Sequence, residues 1–439
     1  MIHRVYWHWQ GMRGKYGAVF GEVAHHRSLP PPEARRDIGE RLLSQLRYFG
    51  SRADALPEWR EAAKARTAED LWRIWPALPI LAKKDLNTRF APEEVQRRFG
   101  LAGRANSTGG STGEPTRVFH DDAMVHTCFV ASIYMQREMG WRPGMPILSI
   151  WGSDRDIGKE PKSQDRLRRW LRQVWPIAGF EVNEKTVDAV LEFLRRHRTV
   201  AMLGYSSLLE SVARQVLKRG DLPPVGRVHT AWNGGEMLFD FQSDLFRQAF
   251  GVPVLNCYGG RELSAMAYQV KPGGPLWVVR PFLFVEIVDD AGKPVPPGEP
   301  GRLLWTSTVC RGTPFLRYDI GDVAVSDGSQ QDESGIRSLK ELQGRTAGVL
   351  HLPNGKMINC IFWNHLFKEF QEIEQFQVAL QKDGAIQLRF KGTPFTQERE
   401  AALRQILSKF LVDIPVTVLW TERIPLTKEG KLVQVVRES

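Results

Sequence analysis

The chain has 439 residues, 42% of them hydrophobic and 25% charged, proportions that exclude a disordered, collagen-like or coiled-coil protein. No apolar run approaches the ~20 residues that cross a bilayer, and residues 1–10 lack the apolar core of a secretory signal, so a cytoplasmic protein is expected. Lys and Arg (60) exceed Asp and Glu (50) by a formal +10, which suits nucleic acid, an anionic membrane surface, or polyanions such as nucleotides and coenzyme A without choosing among them.

Residues 32–65 carry helical periodicity, with Ile38, Leu42, Leu43, Leu46 and Phe49 on one face and a break at Pro57. From about residue 105 short apolar runs alternate with helical patterns. Strands are expected at 147–151, 200–203, 228–232 and 254–257, and helices at 187–194, 208–217 and 241–250. That alternation predicts an α/β domain with a largely parallel sheet. Near Leu276 the texture changes. Strands at 284–288 and 302–306 flank Pro294-Val295-Pro296-Pro297-Gly298, the pattern of an antiparallel subdomain. Beyond Gly348 a compact α+β unit is expected. Its strands at 378–380 and 386–390 enclose the turn Lys382-Asp383-Gly384, and a helix at 398–411 and a strand at 416–420 follow.

The segment 166–175 places Leu167, Trp170, Leu171, Val174 and Trp175 on one helical face and arginines on the other. It reads either as a surface helix packed by its apolar stripe or as a contact for an anionic membrane or partner. Cys128, Cys257, Cys310 and Cys360 form no C-x-x-C pair and are expected to be isolated buried thiols. The ten histidines form no H-x-x-x-H pair, and Gly204-Tyr205-Ser206-Ser207 is not a G-x-S-x-G elbow.

The stretch Ser107-Thr108-Gly109-Gly110-Ser111-Thr112-Gly113-Glu114-Pro115-Thr116 is rich in groups that let a backbone approach phosphate closely. It lacks the lysine of a Walker loop, and in isolation it fits a plain turn as well as a phosphate grip. Downstream follow Asn233-Gly234-Gly235-Glu236, Tyr258-Gly259-Gly260-Arg261-Glu262, Tyr318-Asp319-Ile320-Gly321-Asp322, Gly344-Arg345 and Pro425-Leu426-Thr427-Lys428-Glu429-Gly430-Lys431. In this order they resemble the signature motifs of the adenylate-forming enzymes: acyl-CoA ligases, peptide-synthetase adenylation domains and luciferases. Leu78-Pro79-Ile80-Leu81-Ala82-Lys83-Lys84-Asp85-Leu86 narrows the resemblance to the phenylacetate-CoA ligase and capsule-biosynthesis (CapK-like) branch. The chain departs from the pattern at Arg261 and Ile320, which stand in threonine places, and at Thr346-Ala347-Gly348, where the hinge acid is missing. Val270, Lys271 and Trp277 occupy the region where some relatives carry a Cys/His cluster, so no zinc site is expected.

The resemblance implies a large α/β N-terminal domain (1–343) with an antiparallel subdomain, a hinge (344–348) and a small mobile α+β domain (349–439). It implies activation of a carboxylic acid by ATP to an acyl-AMP with release of pyrophosphate, then transfer to coenzyme A. An amine or hydroxyl acceptor, or a non-catalytic relative, is the alternative. By the same resemblance Ser107, Thr108, Gly109, Gly110, Ser111, Thr112 and Gly113 grip phosphate, Gly235, Glu236, Tyr258 and Gly259 shape the adenine site, and Asp322 and Arg345 hold ribose or phosphate oxygens. Glu262 is the Mg²⁺ ligand. Lys431 is the mobile charge, present for adenylation and withdrawn for acyl transfer. Tyr134, Trp151 and Tyr205 are candidates for the acyl pocket or, equally, for the core. Nucleic-acid binding is not expected, since the positive charge carries no recognisable motif.

Overall fold

The computed structural model describes residues 6, 15–108, 115–151, 163–178, 182–326, 328, 331–332, 334–345, 350–351, 357–358, 363, 366–367, 370–411, 414–426 and 432–438. The chain divides into two compact units, Met1–Leu342 and Gln343–Ser439.

The first unit opens with α1 (Lys15–Ser28) and α2 (Pro31–Gly50), whose periodic Ile38, Leu42, Leu43, Leu46 and Phe49 are buried as their spacing predicts. Pro57 starts the next helix, Pro57–Ala62, at a first-turn position where a missing N–H costs nothing. A hairpin follows, β1 (Gly103–Ser107) and β2 (Arg117–Asp121), in the register Gly103↔Asp121 to Ser107↔Arg117. It runs into α3 (Asp122–Glu138), where Asp121 Oδ1 accepts from the N–H groups of Ala123 and Met124, both at 3.1 Å.

The central sheet is built from β3 (Ile147–Trp151), α4 (Ser163–Arg172), β4 (Val174–Ala178), α5 (Glu184–Arg196), β5 (Val200–Gly204), α6 (Ser206–Arg219), β6 (Val228–Asn233), α7 (Asp240–Phe250) and β7 (Val254–Leu255). Its five strands lie in the order β4-β3-β5-β6-β7, all parallel. Successive side chains of a strand point to opposite faces. Leu148, Ile150, Val200, Met202 and Ala231 accordingly pack into one core with α5, α6 and α7. Their neighbours Ile147, Ala201 and Trp232 pack into the other, with α2 and α3.

The strand β4 corrects the sequence reading, which continued a helix through Trp175. The helix stops at Arg172, Gln173 takes φ +54, and Val174–Ala178 pairs with β3. Pro176 cannot continue a helix and is tolerated on an edge strand. The apolar stripe is left partly uncovered. Leu167 is 56%, Trp170 43% and Trp175 41% exposed.

The 254–257 run is also divided. Cys257 starts a separate antiparallel sheet, formed by β8 (Cys257–Gly260), β9 (Ser264–Gln269), β10 (Leu276–Val278) and the short strand Ser338–Leu339. Next come β11 (Leu283–Val288), β12 (Pro300–Ser307) and β13 (Tyr318–Val325), antiparallel neighbours in that order. The second unit contains β14 (Ile373–Leu380), β15 (Ile386–Gly392), α8 (Gln397–Phe410), β16 (Val416–Trp420) and β17 (Val435–Arg437), in the sheet order β16-β15-β14-β17. The β14–β15 turn closes through Gln381 N–H to Ala385 O at 2.8 Å, with Gly384 at φ +84.

Cys128, Cys257 and Cys310 carry free thiols, and burial pushes those of Cys128 and Cys257 up to about 12. Cys360 lies outside the described residues. No described helix is long and apolar enough to cross a membrane.

Candidate active site

Three of the motif segments meet around the β1–β2 hairpin. The base of the Ser/Thr/Gly loop is closed from within. Thr108 N–H donates to Thr116 O at 2.9 Å, and Thr116 N–H donates to Thr108 Oγ1 at 2.8 Å. It is also closed from outside. Asn87, on the short helix Lys83–Thr88, donates through Nδ2 to Pro115 O at 2.9 Å and accepts from Arg117 N–H at 2.7 Å. The same L-P segment makes a parallel bridge between Leu81 and Tyr318, with Asp319 N–H donating to Leu81 O at 2.9 Å. Gly109, Gly110, Ser111, Thr112 and Gly113 lie outside the described residues, as does Lys431. Arg345 is described in its backbone only.

Tyr258 and Asp322 come together although 64 residues apart, the phenolic O–H donating to Oδ2 at 2.5 Å. Both sit on strands, β8 and β13, and the Tyr258 ring lies 6.0 Å from that of buried Trp305 on β12. Asp319, three positions earlier, is the residue ion-paired to Arg302, at 2.6 Å.

Gly259 is required by space. A Cβ on Gly259 would stand 2.4 Å from Ser264 O, and one on Gly260 would stand 2.9 Å from Glu262 Oε2 and 3.8 Å from Ile320 Cδ1. Glu262 is 3% exposed. Asn106 Nδ2 joins this turn to the loop hairpin by donating to Arg261 O at 3.0 Å. Neither Asn87 nor Asn106 was a sequence candidate. Their only signal is position, next to a motif.

At the carboxyl ends of β3, β5 and β6 a second group of candidates assembles, where parallel α/β sheets commonly bind ligands. The Trp151 and Tyr205 rings meet edge to face, 4.5 Å apart at 73°, and a Cβ on Gly234 would stand 3.1 Å from Trp151 Cη2. Tyr205 is fully buried in the core with α6, while Trp151 is half-buried against it. Asn233 is fully buried. It donates to Ser206 Oγ at 3.0 Å and to Glu236 O at 2.8 Å, and accepts from Cys257 N–H at 2.8 Å. Gly235 takes φ +74, and the Glu236 carboxylate accepts from Ser207 N–H at 2.9 Å in the first turn of α6. Glu236 thus supplies a negative charge where the helix dipole favours one. Tyr134 is in a different cluster, accepting from Arg27 Nη1 at 2.8 Å with its ring 5.6 Å from that of Phe20.

Among the described residues no group of three or more His, Cys, Asp or Glu is arranged to hold a metal ion. A single buried carboxylate beside a phosphate-type loop is still a fitting donor set for Mg²⁺, which keeps its waters and takes one or two carboxylates plus substrate phosphates.

No family model matches the chain. It is 24% identical to the phenylacetate-coenzyme A ligase of Thermus thermophilus, over 93% of this chain and 97% of that one. It is 22% identical to the phenylacetate-coenzyme A ligase of Pseudomonas putida, over 70% and 69%. Its fold matches a crystal structure of 2-hydroxyisobutyryl-CoA ligase in the postadenylation state in complex with R3-HIB-AMP, with a TM-score of 0.67 and 17% identity over 94% of this chain and 91% of that one. The ordered motifs, the two-unit architecture and a relative matched over nearly the whole length agree: the chain is similar to the AMP-forming acid–CoA ligases, phenylacetate-coenzyme A ligases among them.

Proposed function

We propose that this protein activates a compact, apolar or aromatic carboxylic acid with ATP and transfers the acyl group to coenzyme A. In the first half-reaction a carboxylate oxygen attacks the α-phosphorus, the bond to the bridging oxygen breaks, and pyrophosphate leaves. In the second, the thiol gives up its proton to solvent, its sulfur bonds to the acyl carbon, and AMP leaves with the acyl–oxygen electron pair. Both partners of the first step are anions, so the site must neutralise charge and hold them in line.

The observation that carries this reading is the Tyr258–Asp322 bond, which joins two motif strands next to the turn bearing buried Glu262. In this reading Asp322 accepts from the ribose hydroxyls, Tyr258 offers its ring to adenine, and the loop 107–116 donates to phosphate oxygens. Glu262 would hold Mg²⁺, which supplies charge neutralisation on those oxygens when bound. Arg345 and Lys431 are assigned cationic roles toward ribose or phosphate by their motif places. Trp151, with Gly234 beneath the indole and buried Tyr205 packed behind it, is assigned to the acyl pocket, and this close packing favours a small acid.

Mass-spectrometric product analysis with ATP, a panel of acids, and either coenzyme A, amines or no acceptor tests the proposal. Acyl-CoA, AMP and pyrophosphate in equal amounts are expected. Acyl-AMP consumed only by an amine or hydroxyl would replace the acceptor, and no AMP with any acid would end the reading.

A further inference from the structure

Three consecutive carbonyls at the tip of the β8–β9 hairpin are engaged by side chains from three other elements. Asn106 on β1 donates to Arg261 O at 3.0 Å, and His120 Nε2 on β2 lies 2.7 Å from Glu262 O. On α3, Cys128 Sγ is directed at Leu263 O from 3.7 Å. Asn106 and His120 stand on the two strands whose connection is the Ser/Thr/Gly loop. A backbone carbonyl can only accept, so the His120 ring proton is on Nε2. The ring is 5% exposed. The turn has little freedom of its own, with Ser264 at φ +64 and Gly259 pressed against Ser264 O. A buried carbonyl left without its donor is costly.

We propose that His120 is a positioning residue. With Asn106 it suspends the backbone of Glu262 from the β1–β2 hairpin, so the carboxylate keeps its register with Ser107 and Thr108 at the base of the loop. This rests on the reading of Glu262 and the loop given above. The hydrogen bond passes to the main chain of Glu262, and the side chain of His120 itself touches no reacting atom. Displacing a catalytic group by about 1 Å can cost about 10²-fold. One ring on β2 can therefore matter to the metal-assisted part of ATP binding while leaving the nucleoside contacts alone.

Calorimetric titration of ATP into the full-length enzyme, with Mg²⁺ and separately with EDTA, reads the two parts apart. His120→Ala is expected to lose about tenfold of the affinity that Mg²⁺ adds, with affinity in EDTA changed less than about twofold. His120→Gln keeps an N–H donor at similar reach and is expected to recover most of that loss. Asn106→Ala removes only the neighbouring donor. It is expected to show the same pattern at smaller size, and it decides the matter where His120→Ala does not fold. An unchanged Mg²⁺ increment in the folded variants, equal losses with and without Mg²⁺, or no recovery in His120→Gln would each overturn the role. Acid-dependent pyrophosphate release by the wild type separates the two levels. Its absence defeats the proposed function, whereas its presence alongside an undisturbed Mg²⁺ increment in the variants defeats the positioning role alone.

Discussion

Arg317 and Glu286 form an ion pair at 3.1 Å inside the antiparallel subdomain, one residue before the Tyr318–Asp322 motif begins. Arg317 is 1% exposed, holds φ +48, and also donates to Pro76 O at 2.8 Å and Leu78 O at 2.7 Å. Trp75 Nε1 completes the set by donating to Glu286 Oε2 at 3.0 Å. The pair therefore locks the L-P segment to the start of β13. Burial pushes the Glu286 carboxyl above its ordinary value, and Arg317 and Trp75 oppose that rise.

Removing one member of such a pair leaves the other charge buried and alone. Glu286→Ala is expected to cost about 3–5 kcal/mol in denaturant unfolding. A loss below about 1 kcal/mol would place the anchor elsewhere.

The Tyr258–Asp322 bond predicts a graded result. Tyr258→Phe keeps the ring and deletes the donor, so ATP affinity should fall about tenfold, as for a hydrogen bond to a charged group. Asp322→Asn should lose more, since it also surrenders the charge assigned to the ribose. Equal, negligible losses in a titration of ATP would separate this pair from the nucleotide.

Trp151 predicts a change of substrate range. Trp151→Ala opens space above Gly234. It should raise kcat/KM for a larger acid relative to a compact one by about tenfold or more, the scale of one or two methylenes in an apolar pocket. A comparison of acid panels between wild type and variant reads this ratio. No change in it would return Trp151 to the core.

These predictions differ in how much of them the sequence could supply. Strands at 147–151 and 200–203 were legible because runs buried on both faces are largely apolar, and the strand at 228–232 from its place in the alternation with helical patterns. The motif residues were legible from their order. β4 was not, since Trp170, Leu171, Val174 and Trp175 continue a helical spacing and only Pro176 contradicts it. His120 and Asn106 were invisible for another reason. Their partners lie 142 and 155 residues away, and a histidine or asparagine on a strand carries no trace of a backbone carbonyl it will meet. Glu236 shows the converse, a motif carboxylate bound to the end of its neighbouring helix.

The N-terminal helices predict a pH effect. His26 Nδ1 lies 2.7 Å from Asp37 Oδ2, so Nδ1 carries the proton and Nε2 is buried without a partner. Burial pushes the imidazole below its ordinary value, Asp37 opposes this, and Arg280 and Arg41 add to it. The unfolded chain therefore takes up this proton more readily than the folded one. Stability contributed above the ordinary histidine pKa of about 6.5 is lost as pH falls below it. Between about pH 7.5 and 5.5 the Tm of the wild type should drop by about 2 °C more than that of His26→Gln. Parallel Tm–pH curves would assign the acid sensitivity to other groups.

The most direct measurement is acid-dependent exchange of labelled pyrophosphate into ATP, run with Mg²⁺ on the wild type and Glu262→Gln. At least one compact carboxylic acid should stimulate exchange in the wild type. The variant should lose about 10²-fold or more, because a buried carboxylate charge assigned to the metal has been removed. No stimulation by any acid in the wild type, or full exchange in Glu262→Gln, would contradict the account.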